Sequence, residues 1–417
     1  MKNFVLLIGF ISFFTSTSQI EGAQIRTNTQ FKLTKLFAGQ DFACGTDKGG
    51  IAYCWGNNEY GQSGPNVPED GFRPRKVSKD LKFRSLAMAR NTTCGIEFSG
   101  ELYCWGAMYG YQFIKKVESQ IRFETIYGGD QTFCGISEAD RKTYCWGREN
   151  FPIGILGHKS IAPEDVASPK IPVPGSHRFD ELAVGSSTSC GREGTKIFCW
   201  PDFDHGELKV YENSPDFSRG GVGKHEIRSL ANHNASPGGD RLCGLDERGN
   251  GWCWMGMCAY GGCGRGLSNP WPGLWNYYTS WYSPQPVWYV ADGTSPIRPP
   301  HPFAALSIGG RHSCALDAKG IPLCYGLAVS GQLGSGEEFV KSDTPPEDCL
   351  SKSGRVVGCY KPRAVKSDRR FSTIVSGAAF SCALEMTSGQ PYCWGDFDGR
   401  GQGNQLYGWV PTKVSPE

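Results

Sequence analysis

The fold of this chain is decided by one stretch, Phe42-Ala43-Cys44-Gly45-Thr46-Asp47-Lys48-Gly49-Gly50-Ile51-Ala52-Tyr53-Cys54-Trp55-Gly56, variants of which return along the whole sequence. In each copy, Gly or Ala follows the first cysteine and an aromatic residue follows the second. The seven cysteine pairs are Cys44 and Cys54, Cys94 and Cys104, Cys134 and Cys145, Cys190 and Cys199, Cys243 and Cys253, Cys314 and Cys324, and Cys382 and Cys393. This repetition predicts a repeat architecture.

Each copy has the pattern of a β-hairpin with one cysteine in each arm. The arms are rich in aromatic and β-branched residues, and the Gly, Asp, Lys, Ser and Glu residues between them suit a turn. The two cysteines are 9 to 11 positions apart. Opposed across an antiparallel pair, they come within disulfide reach, about 4.5–5.5 Å between Cα atoms.

The hairpin is the middle of a longer unit. An apolar leading strand that ends in small residues precedes it, as in residues 123–129, and a short strand that begins with proline follows, as in residues 411–414. Small residues at these strand ends let the leading strands crowd toward a central channel. Four strands per unit and seven units predict an all-β, seven-bladed β-propeller with one disulfide-bearing hairpin per blade. We place the blades near residues 36–80, 83–120, 123–175, 179–224, 227–298, 303–367 and 371–417, within one propeller of residues 24–417.

The first residues have the pattern of a secretory signal peptide. A basic start, Met1-Lys2-Asn3, precedes a short apolar run and small polar residues, which predicts a signal peptide over residues 1–18 with cleavage between 18 and 23. No later run of about 18 apolar residues occurs, so we expect no membrane span. The predicted location is therefore secreted and extracellular.

All eighteen cysteines follow the predicted signal peptide. In an oxidising compartment they are expected to form disulfides, and the four outside the hairpins give two local pairs, Cys258 with Cys263 and Cys349 with Cys359. The alternative is a zinc site that combines Cys243 with the cysteines of residues 253–263. That segment lacks the usual Cys-x-x-Cys knuckle, so we expect no metal there.

Charge and motifs exclude several classes of function. With 43 basic and 41 acidic residues, no nucleic-acid or membrane-surface role driven by bulk charge is expected. The basic cluster of residues 361–370 is interpreted as a solvated strand edge and loop. Acidic pairs at residues 202–204 and 396–398 fit turns better than calcium ligands. No phosphate loop, nucleophile elbow or dinucleotide fingerprint occurs, and we predict no cofactor and no enzymatic activity.

Two further features are surface candidates. The sequons at Asn91 and Asn234 predict N-glycosylation, with Asn91 favoured because Pro237 follows the second sequon. The connection of residues 252–289 is rich in Trp and Tyr. It is either a binding platform or a loop that packs its aromatics over the propeller or into its channel. The candidate binding residues are Trp271, Trp275, Tyr277, Trp281 and Trp288.

The units resemble a known repeat family. Residues 309–316 (Gly-Gly-Arg-His-Ser-Cys-Ala-Leu), Tyr325-Gly326 and residues 331–334 (Gly-Gln-Leu-Gly) are similar to the regulator of chromosome condensation repeat, and residues 57–64 repeat the pattern. The doubled cysteine and Cys-Trp-Gly form resemble the ectodomains of Crinkly-type plant receptor kinases. The resemblance implies a seven-bladed propeller. The exchange-factor activity that nuclear members show toward the small GTPase Ran is not expected of a secreted chain.

These observations favour a secreted, monomeric binding protein whose propeller face recognises an extracellular protein partner, as an inhibitor or a ligand. The first alternative is a lectin that uses the aromatic connection to stack sugar rings. The second is an enzyme whose site is assembled across blades. Ring closure also stays open, since residues 30–33 either pair with the terminal blade or leave every blade self-contained.

Overall fold

A computed structural model describes the chain in twelve segments. They are residues 31–68, 71–147, 169–185, 189–200, 211–212, 226–233, 241–255, 302–310, 312–336, 349–352, 355–397 and 408–416. The predicted signal peptide and the aromatic connection beyond residue 255 lie outside them. The described segments contain no helix long and apolar enough to cross a membrane.

The described segments form seven hydrogen-bonded sheets. The first sheet contains β1 (Lys35–Ala38), β2 (Phe42–Thr46), β3 (Ala52–Gly56) and β4 (Arg75–Lys76); the second, β5 (Phe83–Met88), β6 (Thr92–Glu97), β7 (Leu102–Gly106) and β8 (Gly110–Lys116). The third contains β9 (Phe123–Gly128), β10 (Thr132–Ser137) and β11 (Thr143–Gly147); the fourth, β12 (Glu181–Val184), β13 (Ser189–Glu193), β14 (Lys196–Trp200) and β15 (Tyr211–Glu212).

The remaining three sheets follow in chain order. The fifth contains β16 (Ile227–Leu230), β18 (Arg241–Asp246) and β19 (Gly251–Met255). The sixth contains β17 (Asn232–His233), β20 (Phe303–Ile308), β21 (His312–Asp317), β22 (Pro322–Leu327), β23 (Cys349–Lys352) and β24 (Arg355–Ala364). The seventh contains β25 (Phe371–Ser376), β26 (Phe380–Glu385), β27 (Pro391–Gly395) and β28 (Thr412–Lys413).

The architecture is an all-β propeller, but the predicted count of seven blades is wrong, because the described residues form six. The regular order of the units breaks down at the fifth and sixth sheets, which are interleaved along the chain. The chain leaves the fifth sheet after β16, enters the sixth as β17 in parallel with β20, and returns to the fifth as β18. One disulfide-bearing hairpin per blade is also wrong, because the sixth sheet contains two, with Cys314–Cys324 between β21 and β22 and Cys349–Cys359 between β23 and β24.

Disulfides lie within the blades. In every central hairpin the two cysteines are direct cross-strand partners, as in Cys44 opposite Cys54 with their Cα atoms 4.0 Å apart. The described bridges are Cys44–Cys54, Cys94–Cys104, Cys134–Cys145, Cys190–Cys199, Cys314–Cys324, Cys349–Cys359 and Cys382–Cys393. Cys243 is also disulfide-bonded, and its backbone lies opposite Cys253. Cys258 and Cys263 lie outside the described residues.

The core lies between neighbouring sheets. The aromatic residue that begins a leading strand packs on the tryptophan after the second hairpin cysteine, as Phe83 does on Trp105 with ring centroids 5.6 Å apart. Both side chains are fully buried. Phe42 and Cys44 of the first sheet belong to the same cluster. Each sheet therefore buries its two faces against its neighbours, which a lone sheet of this size cannot do.

Two Gly-Gln-x-Gly loops tie one sheet to the next. The carbonyl oxygen of Gln62 accepts hydrogen bonds from Trp105 Nε1 at 3.0 Å and from Thr93 Oγ1 at 2.8 Å. The carbonyl oxygen of Gln332 accepts one from Trp394 Nε1 at 3.0 Å. A buried indole N–H needs an acceptor, and here the preceding loop supplies it.

Backbone hydrogen bonds close the ring. Leu33 N donates to Gly389 O at 2.9 Å and Ala378 N donates to Gln40 O at 2.7 Å, which joins the seventh sheet to the first. The bond from Phe371 N to Gly320 O, also 2.9 Å, joins the sixth sheet to the seventh in the same way. Residues 31–33 form no strand. The first and seventh sheets therefore each keep their own four strands and are joined by these hydrogen bonds.

Candidate functional site

The leading strands β1, β5, β9, β12 and β25 converge on one cavity of about 310 Å³. We call this cavity the channel, and consecutive residues of the leading strands line it, as Ser85 to Met88 of β5 do. Its lining is mostly apolar, with Ala87, Ala183, Ala231 and Val375 among the contributors. Polar atoms come from Thr34, Lys35, Ser85, Thr125, Tyr127 and Thr373. The channel combines an apolar wall with a few hydroxyl groups and one ammonium group.

Glycines bring the leading strands together where these strands end. A Cβ atom on Gly128 would lie 2.2 Å from the carbonyl oxygen of Met88, and one on Gly129 would lie 2.4 Å from that of Gly185. Distances below about 3 Å do not occur between real atoms of these types. The expectation that small residues let the leading strands crowd inward is met at these two positions.

Charged groups in the channel wall and beside it are bonded to the backbone. Lys35 Nζ donates to Arg84 O at 2.7 Å. The Glu181 carboxylate accepts from Leu230 N at 2.5 Å and pairs with Arg192 at 3.3 Å. Burial, together with the charge of Glu181, raises the pKa of Tyr127 above its ordinary value. Tyr127 therefore stays neutral across the physiological range and acts in the wall as a hydroxyl group.

One end of the propeller is formed by the turns of the hairpins and the first residues of the leading strands, and we call it the turn face. Its turns are residues 47–50, 97–100, 137–142, 193–196, 246–250, 317–320 and 385–389. Arginine side chains cross from sheet to sheet there. Arg84 donates to Phe123 O and pairs with Glu138, and Arg228 donates to Phe303 O at 2.8 Å. These bonds hold charged groups in fixed positions around the channel mouth.

Two large apolar side chains are exposed on the turn face at equivalent hairpin positions. Phe98 is 58% exposed and Met386 is 49% exposed. Each rests on a glycine of the preceding sheet, where a Cβ on Gly50 would lie 2.5 Å from the Phe98 ring and one on Gly320 would lie 2.7 Å from Met386 Cε. Both glycines have positive φ, 82° and 77°. Their backbone conformation and the lack of a side chain make room for the exposed residue.

One buried histidine lies between the sixth and seventh sheets. His312 Nε2 is 2.7 Å from Ser381 Oγ, and both residues are fully enclosed. Burial lowers the pKa of His312 to about 3. A nucleophile needs access to substrate, so this pair acts as a contact between sheets.

The buried histidine makes stability depend on pH. The unfolded pKa is near 6.5 and the folded pKa is lower, so the unfolded chain binds more protons as the pH falls. The contribution of neutral His312 to the free energy of unfolding is thus complete above about pH 6.5 and is lost progressively toward pH 3. We expect the free energy of unfolding in urea to fall between pH 7 and pH 4, and His312→Asn to flatten this slope. An unchanged slope in the variant would contradict the assignment.

The predicted binding residues Trp271, Trp275, Tyr277, Trp281 and Trp288 lie outside the described residues, as does Asn234. Asn91 is half-exposed, while Thr93 of the same sequon is buried and bonded to Gln62 O. Within the described segments no group of three His, Cys, Asp or Glu side chains is placed to hold a metal ion.

Sequence reasoning missed the arginines and exposed apolar residues of the turn face. Arg84 and Arg228 both occupy the second position of a leading strand, directly after Phe83 and Ile227. Aligning the leading strands would have revealed this shared position. It would not have revealed the acceptors, which are backbone carbonyls of the next sheet. Phe98 and Met386 likewise share the fourth position after the first hairpin cysteine.

Comparisons with known proteins agree with this architecture. The Regulator of chromosome condensation (RCC1) repeat matches residues 33–62, which contain β1 to β3 and the Gln62 loop. The structure of human WBSCR16 is similar with a TM-score of 0.57 at 15% identity, covering 85% of this chain and 88% of that one. The CRINKLY WD40 ectodomain of the Arabidopsis thaliana receptor kinase ACR4 is similar with a TM-score of 0.50 at 15% identity, covering 93% and 99%. At these identities the likeness shows the fold alone.

Proposed function

Because the chain is a cysteine-rich propeller of the regulator of chromosome condensation type, we propose that it is a non-enzymatic binding protein whose turn face recognises an extracellular protein partner, as an inhibitor or a ligand. The observation that carries the proposal is the exposure of Phe98 and Met386 on a face whose charged groups are fixed by hydrogen bonds between sheets. Exposed apolar anchors within a polar surround are typical of protein interfaces.

The rigidity of the turn face supports this role. The Phe98 and Met386 backbones are themselves bonded to the start of a leading strand, since Phe98 N donates to Lys82 O at 3.3 Å and Met386 N donates to Arg370 O at 2.8 Å. An apolar side chain held in place loses little conformational entropy on binding. The two anchors would therefore contribute to affinity without first being ordered.

The disulfides support an extracellular location. The structure describes seven bridges, most of them fully buried, and proteins with many disulfides are typical of oxidising compartments. Disulfide-bridged blades suit a protein that binds its partner at a cell surface or in a secreted fluid.

Site-specific photo-crosslinking tests the proposal. A benzoylphenylalanine residue is placed at position 98 or 386, and at Phe113 as a matched control, because Phe113 is 70% exposed but lies on the outer strand β8. The oxidised proteins are irradiated with the secretions and cell surfaces of the source tissue. We expect one shared adduct at positions 98 and 386, absent at 113, that disappears with protease and survives glycosidase.

Two results would contradict the proposal. Adducts of equal yield at all three positions would show that the turn face has no preference for a partner. An adduct removed by glycosidase alone would identify a glycan as the ligand and would favour the lectin alternative.

A further inference from the structure

A strongly basic surface lies on the outer strands of the sixth and seventh sheets and on the connection between β24 and β25. We call it the basic rim and define it by Lys361, Arg363, Lys366, Arg369, Arg370 and Lys413. Arg363 is half-exposed and the other five are exposed. Residues 361–370 contain five basic residues and a single acidic one, Asp368. The rim is thus far more positive than the chain as a whole, whose net charge is +2.

The fold brings two separate segments together at this rim. Gly336 N donates to Trp409 O at 2.8 Å, which joins the loop after β22 to the segment that leads into β28. A Cβ on Gly336 would lie 2.6 Å from Lys366 Cδ and 3.2 Å from Val410 Cγ1. Lys366 therefore packs beside Val410 at Gly336, with its Nζ 3.5 Å from the same Cβ position, and the residue as a whole is exposed.

The second half of the rim is organised around a tyrosine. Lys413 lies directly opposite Tyr392 across β27 and β28. The Arg369 guanidinium lies 4.6 Å from the centre of the Tyr392 ring and pairs with Glu385. Stacking on the ring fixes the plane of the guanidinium, which presents its remaining N–H groups in a defined direction.

Acidic residues neutralise only part of the rim. Glu385 pairs with Arg369, and the charge of Lys413 also helps to lower the pKa of Glu385, after the hydrogen bonds from Ser388 and Arg369. Among the described residues Lys361, Lys366 and Arg370 form no ion pair. Within the described part of the chain these three exposed cations are thus not neutralised, which makes the surface complementary to an anionic ligand.

The spacing of the cations indicates a polymer. Lys361 lies within β24, Lys366 lies two residues beyond its end, and Lys413 lies on β28 of the next sheet. Cations spread over two sheets suit a chain with a charge on every unit better than a single small anion.

A half-exposed aromatic residue indicates the kind of polymer. Trp409 packs its inner side against Gly331, where a Cβ would lie 3.4 Å from Trp409 Cδ2, and leaves its outer side partly open. Flat aromatic faces stack on the C–H faces of sugar rings. We propose that the basic rim binds an acidic polysaccharide, with Lys366, Arg370 and Lys413 pairing with its carboxylate or sulfate groups and Trp409 contacting a sugar ring.

The test measures binding of the full-length oxidised protein to four polymers of equal length. They are a heparin oligosaccharide, an oligogalacturonate, a neutral dextran and polyglutamate, titrated at 50 and 200 mM NaCl. We expect one or both acidic oligosaccharides to bind, dextran not to bind, and affinity to fall with salt because exposed charges are screened. Binding to heparin alone would identify sulfate as the recognised group, and binding to oligogalacturonate would identify carboxylate.

Charge reversal locates the site. The variant Lys366→Glu/Arg370→Glu/Lys413→Glu is expected to lose at least about tenfold in affinity, since three attractions become repulsions. The matched control Lys48→Glu/Lys79→Glu/Lys82→Glu reverses three exposed lysines elsewhere and is expected to stay within about twofold. Equal losses in both variants, or polyglutamate binding as tightly as the oligosaccharides, would overturn the proposal. Position 386 adjoins the rim, since Met386 N donates to Arg370 O, but position 98 lies on the second sheet. Crosslinking at position 98 therefore tests the turn face without the rim, and the two proposals fail separately.

Discussion

Replacing Gly128 with alanine is expected to lower the free energy of unfolding by about 3 kcal/mol or more. The added methyl group would lie 2.2 Å from the carbonyl oxygen of Met88, and the other atoms nearest to it are also backbone atoms of Met88. A flexible side chain moves aside at little cost, but here a whole leading strand must shift. Because the strands of neighbouring sheets meet at the channel, that shift also disturbs the packing between them.

Gly194→Ala is the matched control for this prediction. Gly194 has a positive φ of 63°, and a Cβ atom there would meet no heavy atom within 4 Å. Its replacement tests backbone strain without steric overlap and is expected to cost about 1 kcal/mol. Urea unfolding of both variants and of the parent protein gives the comparison. Equal losses in the two variants would show that close approach at Gly128 is not what limits substitution.

Local features of this fold were predictable because their causes are local. The separation of Cys44 and Cys54 and the turn residues between them specify a hairpin with opposed cysteines, and the structure has that register. Phe83 begins a leading strand and is fully buried, as its apolar strand pattern indicates. These conclusions needed no knowledge of which sheet lies beside which.

Features that depend on contacts between sheets were not predictable in the same way. β17 consists of Asn232 and His233, and nothing in these two residues specifies pairing with Ser307 and Ile308 of another sheet. The turn face raises the same difficulty, since Arg228 donates to a backbone carbonyl that lies 75 residues away in sequence. A carbonyl group is present in every residue, so the sequence marks the donor but not its acceptor.

The basic cluster shows an intermediate case. Sequence alone interpreted residues 361–370 as a solvated strand edge, and the structure places Lys361 and Arg363 on the outer strand β24. What sequence did not provide is the approach of Lys413, more than 40 residues later, through its position opposite Tyr392. The basic residues of 361–370 and Lys413 of the seventh sheet together form the basic rim, and only the fold shows that they are neighbours. Of the aromatic connection predicted at residues 252–289, residues 252–255 belong to β19 and the rest lies outside the described residues, so its binding role remains a prediction.

Reduction of the disulfides is expected to have the largest effect of all. Each described bridge closes a loop of 9 to 11 residues, and such a loop contributes roughly 2–3 kcal/mol by restricting the unfolded chain. Seven bridges of this kind together match or exceed the total stability of a typical domain, about 5–15 kcal/mol. The fully reduced chain is therefore expected not to fold at 25 °C.

The burial of these bridges determines how the experiment must be done. Most of the bonded cysteines, including Cys382 and Cys393, are inaccessible to solvent, so dithiothreitol alone is expected to leave the native protein unchanged over hours, because thiolate attack requires access to sulfur. In urea the same reductant should convert the chain to a form that does not refold when only the urea is removed, and oxidised refolding buffer should restore it. Circular dichroism and free-thiol titration follow both steps. If the reduced chain regained native β-structure in dilution buffer with all thiols free, packing between the sheets would be sufficient for folding, and the bridges would serve to protect a fold that forms without them.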